Sequence, residues 1–259
     1  MSQSCLFCDN TPGSREHLWP AWIHKRRDFG LIRMQRGTSA EVIVNPEQKV
    51  RTVCSVCNNG WMSKLEQENI PLIGSMFQDL SIPLNEAQQH TVAAWAVKTA
   101  MMFDSTKGRN SDNRFYTKSD GVGLRVNREI PNLTRIWIGR MSSLHLNHAE
   151  CDIALLSGST RIGTASVSTI AAGHFAAQVV TIHPGSELAK QPTIELYHKP
   201  RDWDNMLLSI WPIERPTVIW PPKNIVLNGG RHGIGHLLDR WCGGEKVSKV
   251  TNDGIIPLL

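Results

Sequence analysis

Two short stretches constrain this chain more than any other feature: "CLFC" at residues 5–8 and "CSVC" at residues 54–57. Each puts two thiols three positions apart, so one tight turn can aim both at the same point. Two such turns facing each other complete a tetrahedral set of four sulfurs, which suits Zn²⁺. The need is physical, because the N-terminal segment of some sixty residues has few aliphatic side chains. Bound structural zinc supplies on the order of 10 kcal/mol of folding free energy. A redox CxxC and coincidence are the other readings. A redox pair belongs in a βαβ context, which this segment lacks. Cys151 and Cys242 stand alone in apolar surroundings and are expected to be ordinary core thiols.

The beginning of the chain, "MSQSCLFCDN", has neither a basic head nor an apolar run, and no later segment approaches the ~18 apolar residues of a membrane span. The expectation is a cytoplasmic protein without a membrane partner, whose thiols stay reduced. With 259 residues, 41% of them hydrophobic, and nine tryptophans to pack, the chain can bury a substantial core.

The pattern predicts an α+β fold: a small zinc module at 1–68, a linking helical segment at 69–106, and a mainly antiparallel α+β domain of unknown role at 107–259. Within the module, "EVIV" and "KVRTV" read as two strands joined across "NPEQ", and "NNGWMSKLEQENI" reads as a helix starting at the second cysteine pair. Pro71, Gly74 and Pro83 mark residues 69–84 as a connection. Then "NEAQQHTVAAWAVKTAMMF" is a helix, with Asn85 and Gln88 forming a capping-box pattern. Lys98 is its single charge between Val92 and Phe103, so it should be buried on most sides. Residues 105–133 read as a long polar loop. After them "TRIWIGR", "CDIALLS", "GTASVSTI", "FAAQVVTIH", "TIELYH", "NMLLSIW" and "TVIW" read as short separate strands, and "GIGHLLDRWC" as a last helix.

The formal net charge is +5, and residues 1–64 hold nine Lys/Arg against five acids. A solvated surface accounts for such an excess as readily as a nucleic-acid partner does. Four basic side chains, His24 to Arg27, follow directly on "EHLWPAWI".

The order CxxC, then "EHLWP" (Glu16 to Pro20), then "CSVCNNGW" (Cys54 to Trp61) resembles the HNH endonuclease group, built on the ββα-metal or treble-clef zinc fold. "EHxWPxW", "CNNGWMSxLE" and "WAVKTA" together resemble a set of uncharacterised bacterial HNH-like proteins. The first resemblance covers residues 1–68; the second extends through the helix around Trp95. The resemblance implies a metal-dependent DNA endonuclease, with RNA as the other possible substrate. It implies His17 as general base, and Glu16 and Asn58 as ligands of a catalytic Mg²⁺ or Mn²⁺. It implies that Cys5, Cys8, Cys54 and Cys57 hold a structural zinc, since four thiolates leave no open position. Lys25, Arg26, Arg27, Arg51 and Lys64 would then meet the nucleic-acid backbone. The group's middle Asn has no counterpart between Lys49 and Val53, and Asn45 lies early for it. Orientation of His17 would fall to a backbone carbonyl or to Glu47. Against these roles stand plainer ones: His17 as a structural hydrogen-bonding group, and Trp19, Trp22 and Trp61 as module core rather than base-stacking surface.

His232, His236 and Asp239 lack the glutamate of HExxH, and His145 and His148 fall in an expected loop, so a metal site is not the expectation for either group. The alternative to a nuclease is a non-catalytic, zinc-stabilised module that binds nucleic acid or protein.

Overall fold

The computed structural model describes residues 4–30, 32–36, 42–45, 47–107, 114–157, 160–185, 193–198, 206–224, 246–251 and 254–257. A turn carrying Cys5 and Cys8 leads into β1 (Ser14–His17), a one-turn helix α1 (Ala21–His24), and strands β2 (Ile32–Arg36), β3 (Val42–Val44) and β4 (Lys49–Val53). A helical run follows in three parts. These are α2 (Ser55–Cys57), a wide π-type turn over Asn58–Met62 that leaves helical geometry at Gly60, and α3 (Ser63–Phe77). Then come β5 (Ile82–Asn85), α4 (Glu86–Asp104), α5 (Lys118–Asn127), β6 (Thr134–Ser157), β7 (Thr160–Pro184), β8 (Thr193–His198), β9 (Leu207–Trp211), β10 (Thr217–Trp220), β11 (Lys246–Thr251) and β12 (Gly254–Pro257).

The fold is mixed α+β with mostly antiparallel sheets, as the pattern predicts. A short parallel pairing sets Met34–Arg36 of β2 beside His148–Glu150 of β6. No described helix is long and apolar enough to cross a membrane.

Several local expectations change. "EVIV" and "KVRTV" do form strands, but not with each other: β3 pairs β2, and β4 pairs β1. The expected connection after residue 69 is instead the second half of α3, which runs through Pro71. Burial of Leu65, Leu72, Ile73, Met76 and Phe77 outweighs the lost backbone bond there. The polar loop at 105–133 contains α5, started by a Thr117–Asp120 capping box. The four short runs from Thr134 to His183 fuse into β6 and β7, of 24 and 25 residues, which pair along most of their length with register shifts at Arg140/His145 and Leu155/Leu156. His145 and His148 lie in β6, not in a loop. His148 is buried, stacked on Phe103 at 3.8 Å, with Nε2 2.9 Å from Ser168 Oγ. The helix expected around His236, with His232, Asp239 and Cys242, lies outside the described residues.

The centre is α4. Asn85 and Gln88 close its capping box reciprocally at 2.9 Å each, and every residue from Val92 to Asp104 is buried. It packs on α3, β7 and β9. One hydrophobic cluster runs from Cys5 through α3 and α4 to Trp220. α3 meets β7 at a glycine: Gly173 has φ +64°, and a Cβ there would lie 2.5 Å from the Phe77 ring. Gly173→Ala combines a left-handed backbone with an overpacked contact and should lower stability by about 2–4 kcal/mol, read from the urea midpoint.

His90 of α4 tests a second, half-buried contact. Its Nε2 lies 3.1 Å from the Arg128 carbonyl. Burial holds the imidazole below its usual 6.5; that hydrogen bond opposes the shift, and the Arg128 charge adds to it. The folded-state value is therefore below the unfolded one. The contribution is complete above about pH 6.5 and is lost as pH falls through and below it. The urea midpoint should fall between pH 7 and pH 5.5, and more shallowly in His90→Gln.

Candidate metal centre

The two cysteine turns meet. The sulfurs of Cys5, Cys8, Cys54 and Cys57 are buried and all lie within 4.8 Å of one another. Cys8 Sγ is 3.5 Å from both Cys54 Sγ and Cys57 Sγ. Tetrahedral bonds of ~2.3 Å place sulfurs ~3.8 Å apart, so the quartet fits a metal ion such as zinc. Backbone N–H groups already point at the sulfurs: Phe7 and Cys54 donate to Cys5 Sγ at 3.5 and 3.2 Å, and Cys57 donates to Cys54 Sγ at 3.4 Å. Such donors favour thiolate. For Cys54, burial resists ionisation, but the Cys57 N–H and the neighbouring thiols prevail and bring it down to about 6. Burial raises Cys5, while burial and the Cys8 contact raise Cys57. Cys151 is a half-buried thiol on β6, packed against core rather than within it.

The centre is braced from α5. Lys118 Nζ donates to the carbonyls of Cys5, at 2.5 Å, and of Cys8. A Cβ on Gly121 would lie 2.4 Å from the Leu6 carbonyl oxygen. Backbone meets backbone there, so Gly121→Ala must push the first turn away. Metal release to a chelator should become at least tenfold faster in that variant, and stripping the metal from wild type should unfold the β1–β4 region, measured by hydrogen exchange.

Around the centre, β1 and β4 form a ribbon with Glu16 opposite Val50 and His17 opposite Lys49. Successive strand residues face opposite sides. Glu16 is half-buried and hydrogen-bonded by Asn58, whose Nδ2 also donates to Ser14 Oγ at 2.7 Å. Burial raises the Glu16 carboxyl; the Lys98 charge lowers it, Glu66 raises it, and the Asn58 hydrogen bond lowers it. His17 belongs to the other face. Its ring lies 6.0 Å from that of His24. Burial, then the charges of Lys49 and His24, pull the imidazole below 6.5, while Glu47 acts the other way. The structure thus brings Glu16 and Asn58 together and places the adjacent His17 with His24, Lys49 and Glu47.

Lys25, Arg26, Arg27, Arg51 and Lys64 are all exposed. Arg26 is partly committed: its guanidinium carbon sits 5.4 Å over Trp22, and its tip lies against Gly74 of α3. Trp19 is core, while Trp22 and Trp61 are half-buried against it. Residues not singled out in sequence join this region. Arg15 and Lys49 are exposed on the ribbon alongside Arg51, a placement that strand alternation could have signalled. Glu66 and Lys98 pair across α3 and α4, the Lys signalled by its isolation in an apolar helix.

Comparison with protein-family models, curated proteins and solved structures finds no match to this chain.

Proposed function

We propose that this chain is a metal-dependent endonuclease of HNH type acting on DNA, with a structural zinc in the cysteine quartet holding a treble-clef module together. The observation that carries it is the meeting of Glu16 and Asn58 beside the four sulfurs, one strand position from a half-exposed imidazole. Glu16 and Asn58 would hold Mg²⁺ or Mn²⁺ through oxygen donors of the kind such ions take. With Asn58 Nδ2 turned to Ser14 and Glu16, its Oδ1 is the atom for the cation. Such an ion, when bound, polarises the scissile phosphate. His17, held below 6.5 and therefore neutral at pH 7, accepts the proton of the attacking water. β1 pairs only with β4 among the described residues, so a phosphate lying across its other edge can meet Glu16 from one side and His17 from the other. Glu47 supplies a negative charge near the imidazole, where the group's middle Asn would have oriented it through a neutral amide. Arg15, Lys49 and Arg51 on the ribbon, with Lys25, Arg27 and Lys64, neutralise backbone phosphates.

The placement of His17 on the face opposite Glu16 favours a second reading: a zinc-stabilised module that binds nucleic acid or protein without cleaving it. Nicking of supercoiled DNA, and of RNA in parallel, separates the two. On the nuclease reading, Mg²⁺ or Mn²⁺ supports turnover, and His17→Ala lowers it by about 10²- to 10⁴-fold with zinc content and folding unchanged. Full activity in that variant overturns the mechanism. Salt-sensitive DNA binding with no turnover under any divalent ion establishes the second reading instead.

A further inference from the structure

A cavity of about 460 Å³ adjoins the end of β1. Among the described residues its lining comes from the end of α1 and two turns. His24, Arg27, Asp28 and Phe29 form one side, and Asn45 and Glu47 the other. The size falls in the roughly 300–1,000 Å³ range of pockets that enclose small organic groups. Two contacts fix its place beside His17. The His24 ring is 6.0 Å from that of His17, and its Nε2 donates to the Trp19 carbonyl at 3.1 Å. On the other side, Leu18 N–H donates to the Gln48 carbonyl at 3.0 Å, which ties the second turn to the residue after His17.

The polar groups of the lining are partly used within their own turns. Asp28 Oδ1 accepts the Gly30 N–H, and Asn45 Oδ1 accepts the Glu47 N–H, each at 2.8 Å. Those bonds leave Asp28 Oδ2, Asn45 Nδ2 and the exposed Glu47 carboxylate to meet a ligand. Phe29 is half-buried, set edge-to-face on Phe77 of α3 at 5.9 Å, and adds an aromatic wall. Two carboxylates turn a phosphate away, so a nucleic-acid backbone stays outside with the exposed Lys25, Arg27 and Lys49. A neutral base can enter. Guanine presents N1–H and N2–H₂ side by side, which one carboxylate accepts together, and O6 next to them, which an amide N–H₂ can meet. Adenine and cytosine set a ring acceptor beside their amino group, and thymine has one N–H between two carbonyls. Each of those turns an acceptor toward the carboxylate.

We propose that this cavity receives an unstacked guanine of a bound strand. Glu47 accepts from N1–H and N2–H₂, Asn45 donates to O6, and Phe29 lies against the base. The preferred substrate is then DNA with unpaired nucleotides, because a base that is already unpaired costs least to extrude. Held there, the base sets its own phosphates beside His17. The proposal rests on the nucleic-acid contact of the proposed function but not on cleavage.

The test is binding of end-labelled DNA to the zinc-loaded full chain, read by fluorescence anisotropy at fixed salt without Mg²⁺ or Mn²⁺. One duplex is fully paired, and four carry a single bulged G, A, C or T. Bulged G should bind about tenfold tighter than the paired duplex, the discrimination of one bidentate base contact, with the other three bulges within about threefold of the paired one. Glu47→Gln, at an exposed position, should bring bulged G level with the other bulges. Phe29→Leu should remove most of the gain by taking away the stack. Zinc content and melting temperature are measured for each variant, and Glu47→Gln decides the matter if Phe29→Leu fails to fold. Guanosine monophosphate should compete far more weakly than unlabelled bulged duplex, since it brings few backbone contacts. Equal tightening by all four bulges marks recognition of the bend, and a guanine preference that survives Glu47→Gln marks a base held elsewhere; either overturns the proposal. So would equal binding of paired and bulged duplexes, or a free nucleotide that competes as well as the strand. If the guanine preference holds and no DNA is nicked under any divalent ion, the nuclease reading fails alone. If paired and bulged duplexes are bound and nicked equally well, the present proposal fails alone. A chain that binds no DNA overturns both.

Discussion

Four sulfurs from two turns far apart in sequence occupy one small volume, and the N-terminal third is arranged by that meeting. Closing a loop of this length costs chain entropy that its few aliphatic residues do not recover. The cysteine turns are joined by backbone as well as by sulfur: Leu6 N–H donates to Thr52 O at 2.9 Å and Gly13 N–H to Val53 O at 3.0 Å. The start of β1 is thereby aligned with the end of β4. Glu16 follows eight residues after Cys8, and Asn58 immediately after Cys57. Their contact follows directly from the geometry of the quartet.

Strand alternation then divides the chemistry. Glu16 turns to the Asn58 side chain. His17 turns outward to His24 and Lys49, on a ribbon that also exposes Arg51 and Arg15. Oxygen donors lie on one face of the ribbon, and exposed cations with an imidazole on the other. On the proposed function, a polyanion would be drawn to the outer face by charge alone. On that reading, the edge of β1 left unpaired among the described residues is where a phosphate would meet both faces.

What was legible in the sequence was whatever depends on local spacing. The CxxC pairs, the Asn85–Gln88 cap and the apolar run of α4 each carry their geometry within a few residues, and each is found in the fold. What was not legible depends on distant partners. β4 could have paired with β3 next to it, but the sulfurs hold it against β1. Pro71 reads as a breaker, yet buried neighbours on both sides of it keep α3 intact. Gly173 reads as a gap between two strands, and instead lets β7 bend around Phe77 without ending. In the candidate site, motif order put Glu16 and Asn58 forward and the fold brings their side chains together, but the facing of His17 required the register with Lys49.

Lys98 shows how far a single residue can be pressed. An ammonium in an otherwise apolar helix demands an anion, since burying it alone costs several kcal/mol. The demand is legible in sequence; the partner, 32 positions earlier on another helix, is not. Nor does stability account for the pair, because buried ion pairs add little over well-packed apolar side chains of similar volume. Two indole donors are also spent on Glu66, which a methionine–leucine contact would not require. Three donors converging on one carboxylate instead fix α1, α3 and α4 in one mutual orientation, around the apolar core that holds Leu65, Leu72, Val92 and Met76.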